Sequence, residues 1–437
     1  MRINYFKTSI LFLLLLIVIT GETEAQESLS LQDAIALGLE NNYKIQIESN
    51  DVEIAHRQNT WGNAGAYPSL TLNVNANSDF MDLTENSDRS GRLTPSVQLN
   101  WVLFDGFAIR IRKDKLDYLS QLSEGNAAVI IENTIQAIIL AYYDVQLQQE
   151  RLALFREVMK LSEDRYNYIQ NRVDMGAGST YESLQAKTAW LTDKSLYLNQ
   201  EMVVRSAHRL LGYLLALPNQ NNFTLSDSLE PVINEYELAG LVSKMEASNQ
   251  TLQNQYLNLQ LLERNIALEQ SERYPSLSLN SRGQYDAYPD FLNNPASSSS
   301  SRLGLYSGLS LSYNISSGNR VNRNIAIARI QQATGDIQLA DMKHQLNSQL
   351  INLHDLFGVR KELVYVAEEN LAAAQLNLDI STEKYRNGVI NSFNFRDVQR
   401  TYLQTALSKL NAVFNLIETH TDLVRITGGM IGEYETN

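Results

Sequence analysis

The sequence contains no cysteine. This excludes disulfide bonds and a lipid anchor attached through cysteine, so a secreted form must gain its stability from packing or assembly. Only seven prolines occur in 437 residues, which permits long uninterrupted helices. Basic residues are in the minority, with 36 Lys and Arg against 49 Asp and Glu. The net charge of −13 argues against nucleic acid as a partner, because phosphate binding requires basic surfaces.

Motifs that carry chemistry are also missing. The five histidines, at positions 56, 208, 344, 354 and 420, are scattered over helical segments without metal-ligand spacing. No His-Glu-x-x-His motif, phosphate-binding Gly-rich loop or Gly-x-Ser-x-Gly motif occurs. We therefore expect no enzyme, no catalytic residue, no bound metal and no cofactor.

The single long apolar run lies at the amino terminus. A charged start with Arg2 and Lys7 precedes the apolar run Ile10–Ile19, and small residues end it at Ala25. This pattern predicts a signal peptide at 1–25 that is cut after Ala25. A membrane anchor is the alternative, but the run is well short of the ~20 apolar residues that span a bilayer. Later apolar stretches are interrupted by polar residues, so we expect no membrane-spanning helix after the leader.

The most informative positive feature is an internal repeat with constant spacing. Short motifs recur after 207 or 212 residues, although the two copies share little sequence. The recurring pairs are Asn42 with Asn249, Tyr67–Leu70 with Tyr274–Leu277, Gly106 with Gly318, and Gly176 with Gly388. A period this long indicates a duplicated half rather than a solenoid unit of ~20–50 residues. Constant spacing with drifting sequence indicates that physical length is the constrained quantity.

Each copy contains two segments in which apolar and polar residues alternate with period two, as in a half-buried strand. The first copy predicts strands at 67–77 and 97–104 around a polar loop at 79–94, and the second predicts strands from Ser276 and from Leu303 to Ile315 around a low-complexity loop at 286–302. A soluble antiparallel sheet shows the same alternation. Here the strands are about ten residues long and their polar face is almost free of charge, as in a membrane barrel.

Aromatic residues and the strand count extend this interpretation. Trp101, Tyr285, Tyr306 and Tyr313 could supply an interfacial aromatic girdle. Four strands cannot close a barrel, since single-chain bacterial barrels start at ~8 strands. An open sheet edge is not tolerated in lipid. The chain is therefore expected to share its barrel with copies of itself.

The rest of the sequence predicts long helices. Ser30 and Asp33 fit a capping box that opens a helix running to about Ala64. Heptad-like apolar spacing follows from Gly106 to about 171 and from Gly318 to about 387, and such spacing is typical of coiled-coil packing. A 70-residue helix would reach ~105 Å. After the glycines, a second helical run continues to Gly212 and Gly428 in the two copies.

The order and spacing of these features resemble the outer membrane efflux protein family, the TolC-like factors, over essentially the whole mature chain. The resemblance rests on the repeat, the Tyr-Pro-Ser-Leu motif before a strand, the strand ending Trp101–Gly106, and the glycine at each hairpin end. It implies a mostly α fold with a small β part, in which three chains give four strands each to one outer membrane β-barrel, continued by a long periplasmic α-helical barrel. The implied function is passive transport through the outer membrane exit duct of a tripartite efflux pump or type I secretion system in a Gram-negative bacterium.

In this family the glycine turns dock a periplasmic adaptor (membrane fusion) protein, which links the channel to an inner membrane pump. The resemblance places this tip at Gly176, Gly178, Ser179, Gly388 and Val389. The remaining partners that it implies are two further copies of the chain and outer membrane lipid.

The family pattern also has a carboxylate six residues past each glycine, facing the narrowed pore. Glu182 fits after Gly176, whereas Asn394 occupies that position after Gly388, with Asp397 three residues further along. Glu182 and Asp397 are therefore pore gate candidates. The alternative is that both are solvated charges early in a helix, where the macrodipole favours them.

We therefore divide the chain into a signal peptide (1–25), a first structural repeat (26–217), a connecting segment (218–236) and a second repeat (237–437). A secreted or periplasmic coiled-coil scaffold without channel activity is the alternative function. It explains the heptads but gives no reason for four amphipathic strands with uncharged polar faces.

Overall fold

The computed structural model describes residues 27–79, 90–218, 223–287 and 301–434. The expected signal peptide lies outside these residues. The described helices are α1 Leu31–Asn41, α2 Tyr43–Gln58, α3 Trp61–Ala64, α4 Ala108–Asp174, α5 Thr180–Leu214, α6 Leu238–Ser248, α7 Gln250–Ser271, α8 Arg320–Arg386, α9 Ser392–Ile426 and α10 Met430–Tyr434. The strands are β1 Glu27–Leu29, β2 Ser69–Asp79, β3 Ser90–Asp105, β4 Phe223–Leu225, β5 Ser276–Ala287 and β6 Ser301–Ser312.

Three pairs of helices at equivalent places in the two halves have equal lengths. α4 and α8 contain 67 residues each, α5 and α9 contain 35 each, and α1 and α6 contain 11 each. At 1.5 Å per residue, each 67-residue helix is ~100 Å long. The prediction of two long helical hairpins is confirmed, and so is the capping box formed by Ser30 and Asp33.

Several predicted boundaries were wrong. β3 begins at Ser90, inside the predicted loop, because the ladder with β2 extends through Arg92 opposite Asn77. β5 likewise continues to Ala287. The last strand ends at Ser312 rather than Ile315. Ser312 pairs with Ser276 of β5. Pro275 precedes Ser276 and has no N–H, so it cannot extend the ladder beyond Ser312.

Two further boundaries differ in the helical part. The predicted helix up to Ala64 is divided into α1, α2 and α3 by breaks at Asn42 and at residues 59–60. Gly212 does not end α5, which continues to Leu214. The residue that stands 212 positions before Gly428 is Ala216, and both have a positive φ, 53° and 66°. The same turn is therefore made by alanine in one half and by glycine in the other.

At Gly428 the backbone approaches another segment closely. A Cβ placed there would lie 2.1 Å from the carbonyl oxygen of Ser248. Glycine is consequently required at this position for steric reasons as well as for its φ.

The chain forms two compact units. The first comprises residues 27–46, 130–249 and 346–434 of the described chain. It contains the short parallel pair of β1 with β4 and three apolar clusters. The largest buried side chains in the first cluster include Ile35, Ile138, Tyr142 and Leu211. Because these residues come from α1, α4 and α5, the cluster fixes the three helices of the first half to one another.

Part of α4 is unusually apolar. It has an 18-residue stretch with a mean hydropathy of 1.3, which by length and composition alone would suffice to cross a membrane. Our sequence prediction did not anticipate it. Ile135, Ile138 and Ile139 of this helix are nearly inaccessible to solvent in the first apolar cluster. We therefore assign the stretch to the protein core.

The second unit comprises residues 47–129 and 250–345. Its described strands form one antiparallel sheet in the order β2-β3-β5-β6. A register shift between Val102 and Phe104 interrupts the β3–β5 ladder. Asp105, at the end of β3, accepts a hydrogen bond from the N–H of Ile109 at 3.1 Å and pairs with Arg112 at 2.8 Å. The side chain that ends the strand thus caps the following helix.

The asparagines of the repeat have the same structural role in both halves. Asn42 lies between α1 and α2 and is buried; its Nδ2 donates to the carbonyl oxygen of Leu214 at 2.7 Å. Asn249 lies between α6 and α7 and donates to the carbonyl oxygen of Ile426 at 2.9 Å. Leu214 and Ile426 are the last residues of α5 and α9. Each asparagine therefore satisfies a helix-terminal carbonyl that would otherwise have no partner inside the helix.

We predict that Asn42→Ala destabilises the first unit by about 1–3 kcal/mol, because it leaves a carbonyl group at the end of α5 without a partner. Thermal unfolding followed by the helical circular dichroism signal measures the change. Asn41→Ala is the matched control, since the Asn41 amide donates only to Leu37 of its own helix, and it should change stability by less than about 0.5 kcal/mol. Equal effects of the two substitutions would contradict this role of Asn42.

A buried carboxyl group makes stability depend on pH. Glu132 of α4 is 6% exposed, and its Oε1 has no hydrogen-bond partner in the described part of the chain. Burial raises its pKa to about 7, against a smaller opposing effect of Arg425. The folded chain therefore binds more protons than the unfolded chain between the ordinary glutamate pKa and pH 7. Stability consequently falls as the pH rises through this range.

We predict that Glu132→Gln stabilises the protein at pH 8 by about 1–3 kcal/mol and has little effect at pH 5. Thermal unfolding of both proteins across this pH range tests the expectation. Glu150→Gln on the exposed side of α4 is the control and should leave the pH profile unchanged. A larger gain at pH 5 than at pH 8 would show that the sign of the linkage is wrong.

Candidate functional site

The two helical hairpins end in turns of the same geometry. Five residues connect α4 to α5 and α8 to α9, at 175–179 and 387–391. Gly176 has φ 73° and Gly388 has φ 72°. The N–H of Gly176 donates to the oxygen of Val173 at 2.9 Å, and that of Gly388 donates to the oxygen of Tyr385 at 3.0 Å. Glycine is favoured here because it reaches positive φ without a Cβ clash.

The predicted tip residues are not equivalent. A Cβ on Gly176 or Gly388 would meet nothing within 4 Å, so both glycines lie in open space. A Cβ on Gly178 would lie 2.8 Å from the backbone nitrogen of Val173, so Gly178 is a packing position. Ser179 precedes α5 but makes no side-chain capping bond.

The second tip differs in its cap and its exposed surface. Asn391 occupies the place of Ser179 and caps α9, accepting hydrogen bonds from the N–H groups of Phe393 and Asn394 at 3.1 and 2.9 Å. Val389 is 70% exposed. Met175, within the first predicted turn, is also exposed. Large exposed apolar side chains that the sequence reasoning missed are Tyr181 and Leu184 at the first tip and Phe393 at the second. Their positions within eight residues of the predicted docking glycines were the available signal.

The two gate candidates lie on different helices. Glu182 is in the first turn of α5 and is half-buried. Its charge contributes to the raised pKa of Tyr385, although burial of the phenol is the larger cause. Asp397 is exposed on α9, and so is Asn394, which stands at the family position. The structure therefore brings Glu182 close to the second tip and leaves Asp397 on an exposed face.

A groove of about 840 Å³ runs beside these residues. Residues of α4, α5 and α9 line it, including Phe155, Tyr181, Leu184 and Leu403. Most of its walls are apolar. The charged side chains of Asp193 and Arg396 also line it.

Asp193 and Arg396 form a buried ion pair between the two halves. Arg396 of α9 donates from both terminal nitrogens to the Asp193 carboxylate of α5, at 2.6 and 2.7 Å. Ser162 of α4 also donates to Asp193. The Asp193 side chain is 2% exposed. Such a bidentate, desolvated pair is geometrically specific, and here it joins three helices near the tip.

A second buried cation lies next to this pair. Arg165 of α4 is 4% exposed and donates to Gln399 at 3.5 Å. Burial lowers its pKa, and the neighbouring Arg396 lowers it further. The sequence reasoning missed both arginines, because charge in the middle of a long heptad pattern does not distinguish a buried site from a solvated face.

One face of the sheet is predominantly apolar. Leu72 of β2 pairs with Val97 of β3, and Leu305 of β6 pairs with Gly283 of β5. Leu72 is 69% exposed and Leu305 is 85% exposed. The apolar side chains of this face are Leu70, Leu72, Val74, Leu93, Val97, Leu99, Trp101, Leu277, Leu279, Leu303, Leu305, Leu309 and Leu311. Soluble monomers rarely expose an apolar surface of this extent.

The opposite face is polar, but it carries more charge than the sequence reasoning predicted. Arg92, Arg282, Asp286 and Arg302 lie on it. Asp286 accepts hydrogen bonds from Arg92 and Thr94, both at 3.1 Å. Arg92, Asp286 and Arg302 lie at strand ends that were predicted as loops, whereas Arg282 lies within β5. Continuing the period-two pattern of Ser276–Asn280 would have placed Arg282 and Asp286 on the polar face.

Four of the histidines, at positions 56, 208, 354 and 420, make local structural contacts. His56 bonds Ser120 at 3.0 Å, and His420 bonds the hydroxyl of Tyr236 at 2.7 Å. Over residues 27–79, 90–218, 223–287 and 301–434, no group of three or more His, Asp or Glu side chains is placed to hold a metal ion.

Comparison with known sequences identifies related proteins. A family model described as "Outer membrane efflux protein" matches residues 34–214 and 241–429. Nodulation protein T of Rhizobium leguminosarum bv. viciae is 23% identical over 419 residues, which is 92% of this chain and 82% of that protein. Outer membrane efflux protein BepC of Brucella suis is 20% identical over 422 residues, covering 95% of this chain and 88% of that protein.

Solved structures share the fold. A membrane protein from Pseudomonas aeruginosa superposes with a TM-score of 0.77 at 16% identity, over 91% of this chain and 93% of that one. The open state of the MtrE outer membrane channel of Neisseria gonorrhoeae gives a TM-score of 0.75 at 16% identity, over 92% and 89% of the two chains.

We predict that Asp193→Ala destabilises the first unit by about 3–5 kcal/mol, because it leaves Arg396 partly buried without its counterion. Thermal or urea unfolding measures the loss. The double variant Asp193→Leu/Arg396→Met should recover part of it, since neither charge of the pair then remains, although Arg165 stays buried beside it. Glu53→Ala is the control: it breaks an exposed pair with Arg57 and should cost less than about 1 kcal/mol. A loss of stability of similar size in Asp193→Ala and Glu53→Ala would contradict a larger role of the buried pair.

Proposed function

The chain belongs to the outer membrane efflux protein family, and we propose that it acts as a homotrimer in a tripartite assembly. The protein is an outer membrane exit duct for efflux, with a helical extension in the periplasm. In the proposed assembly, a periplasmic adaptor protein connects this duct to an inner membrane pump. Export of small molecules is the favoured activity, and protein export by a type I secretion system is the alternative cargo class.

The observation that carries the proposal is a sheet with one predominantly apolar face and two open edges. β2 and β6 are the edge strands of the described sheet. A membrane cannot satisfy their unpaired backbone groups, so each edge requires a partner strand. Three chains that pair β6 of one with β2 of the next would give twelve strands and no edge. The polar face, with Arg92, Arg282 and Arg302, would then line a water-filled lumen.

The exposed apolar face also separates the duct from the alternative of a soluble coiled-coil scaffold. Leu303, Leu305 and Leu311 are 81%, 85% and 71% exposed. In water this surface would drive aggregation, whereas in a bilayer it is the expected lipid-facing side. A soluble scaffold function therefore does not explain the presence of the sheet.

We place adaptor docking at the two tips. Gly176 and Gly388 leave backbone accessible, and Val389, Met175 and Tyr181 supply exposed apolar contacts beside them. The groove between α5 and α9 includes Tyr181 in its lining, and we propose that it receives a helix of the adaptor. Gly178 and Ser179 would act by shaping the first turn.

We place the pore constriction near the same end, with Glu182 as the stronger gate candidate. Glu182 lies near Tyr385 of the second tip, whereas Asp397 needs a neighbouring chain to face it. The chain has no nucleotide-binding motif, so the proposed inner membrane partner would supply the energy.

We predict that the mature protein is extracted only by detergent and that native mass measurement of the extract gives three chains. The reason is that both edge strands need partners in lipid. Arg302→Pro in β6 should impair assembly, because proline removes an N–H and disfavours a paired strand. Arg302→Gln at the same site is the control and should assemble. A stable monomer, or full solubility without detergent, contradicts the proposal.

We predict that replacing Gly176 and Gly388 together by Trp abolishes efflux without preventing trimer formation. Both positions are open, so the bulky side chains obstruct docking but not the interior of the chain, and the strain of a non-glycine residue at positive φ is confined to the two turns. Sensitivity of a gene-deletion strain to toxic compounds, with each variant expressed in turn, measures efflux. Tyr365→Trp, on an exposed part of α8 within the helix, is the control. Unimpaired efflux in the double variant would contradict adaptor docking at the tips.

A further inference from the structure

A second cavity, of about 680 Å³, lies in the second unit where the sheet meets α3 and α4. Trp61, Trp101, Phe104 and Phe107 supply its aromatic walls, and we call it the junction groove. Trp101 belongs to the apolar face of the sheet, so the groove continues that face beyond the end of β3. Its aromatic rings remain accessible, with Trp61 46%, Trp101 39% and Phe107 58% exposed.

The rings are held in fixed orientations. Trp101 donates from Nε1 to the carbonyl oxygen of Ala66 at 2.9 Å. Phe104 and Phe107 meet edge to face with centroids 5.3 Å apart. The Lys113 ammonium lies 5.8 Å from the centre of the Trp61 ring. The walls are therefore preorganised and present flat apolar surface to a ligand.

Phe107 is held in an unfavourable backbone conformation. Its φ is 71°, in the left-handed region, which is unfavourable for a residue with a Cβ. Asn319 is its counterpart in the second half and has φ 63°, which asparagine tolerates well. The turn itself therefore does not require an aromatic residue. A strained, exposed phenylalanine is an observed outlier of the kind that marks functional sites.

The second half supplies an internal comparison, because the same elements there lack the groove residues. Counterparts of Trp61, Phe104, Phe107, Arg110 and Lys113 are Leu268, Ser316, Asn319, Asn322 and Ile325. By the offset of 212 residues Trp101 corresponds to Tyr313, so only one of the four aromatic residues has an aromatic counterpart. The other three aromatic walls, together with Arg110 and Lys113, are consequently specific to the first half.

The charges at the rim favour a zwitterionic ligand. Lys113 pairs with Asp117 at 2.6 Å, which lowers the pKa of that carboxyl group. Arg110 is exposed and has no ion-pair partner within the described part of the chain. Asp114 lies one helical turn after it and is 3.7 Å from Arg264, a long contact that leaves the carboxylate partly accessible. The rim thus offers one cation and one anion on the same helix face.

We propose that the junction groove binds one phospholipid of the periplasmic leaflet whose headgroup carries a phosphate and a primary ammonium. Arg110 binds the phosphate, Asp114 accepts from the ammonium, and an acyl chain lies against Trp101, Phe104 and Phe107. The carboxylates at the rim oppose a headgroup with a second negative charge. This inference goes beyond the efflux function but relies on placement of the sheet in the membrane.

The test is native mass spectrometry of the purified full-length protein in detergent, delipidated and then titrated with phosphatidylethanolamine, phosphatidylglycerol or phosphatidylcholine. Wild type should retain one phosphatidylethanolamine per chain in preference to the other two lipids. Arg110→Gln should weaken retention at least about tenfold, the size expected for one charge-assisted hydrogen bond. Arg57→Gln, at another exposed arginine of the same unit, is the control and should bind as wild type does.

Phe107→Asn provides a second, independent measurement. It installs the residue of the other half, so it should raise the unfolding temperature while weakening lipid retention. A purely structural Phe107 would not move these two quantities in opposite directions.

Three outcomes overturn the proposal: unchanged retention in Arg110→Gln, preference for phosphatidylglycerol, or loss of the oligomer in Phe107→Asn. The last would mean that a neighbouring copy of the chain covers the groove. Oligomer mass and efflux are measured on the same variants, so failure of the lipid site is distinguishable from failure of the proposed function.

Discussion

The arrangement of the helical part depends on where each 35-residue helix is allowed to end. A helix that ends inside a protein exposes carbonyl groups to a region without water, which is costly unless a donor meets them. Asn42 and Asn249 are those donors for α5 and α9. Each asparagine also ends the helix that precedes it, α1 or α6. One residue therefore sets the end of that helix and satisfies the end of a 35-residue helix. Since α5 and α9 each contain 35 residues and begin directly after the tip turns, the position of each tip is set by the length of its helix.

The same logic of satisfied polar groups explains the charged residues in the interior of the first unit. Asp193 and Arg396 are desolvated and therefore contribute less net stability than their short distances suggest. The pair instead fixes the orientation of α5 relative to α9, since its bidentate geometry tolerates little rotation between the two helices. Glu132 has no such counterion of equal strength and is held near neutrality instead. The first unit thus contains both solutions to buried charge, one paired and one protonated.

Sequence reasoning recovered the elements whose signal is periodic. The heptads gave α4 and α8, and alternation gave the four long strands, because burial on one face leaves a repeating pattern. It failed at strand ends such as Ser90 and Ser312, where pairing with a neighbouring strand decides the boundary. It also missed Arg396 and the junction groove, since these depend on which helices meet across a long sequence separation. Gly176 and Gly388 could be identified as turn positions from the sequence because a positive φ strongly favours glycine.

The turn at Ala216 and Gly428 has a consequence for how the two halves can diverge. A β-carbon fits at the first position but would collide with Ser248 at the second. The two halves therefore make the same turn in different local surroundings, and substitution of the turn residue is sterically restricted in the second half at a position where the first half accommodates alanine.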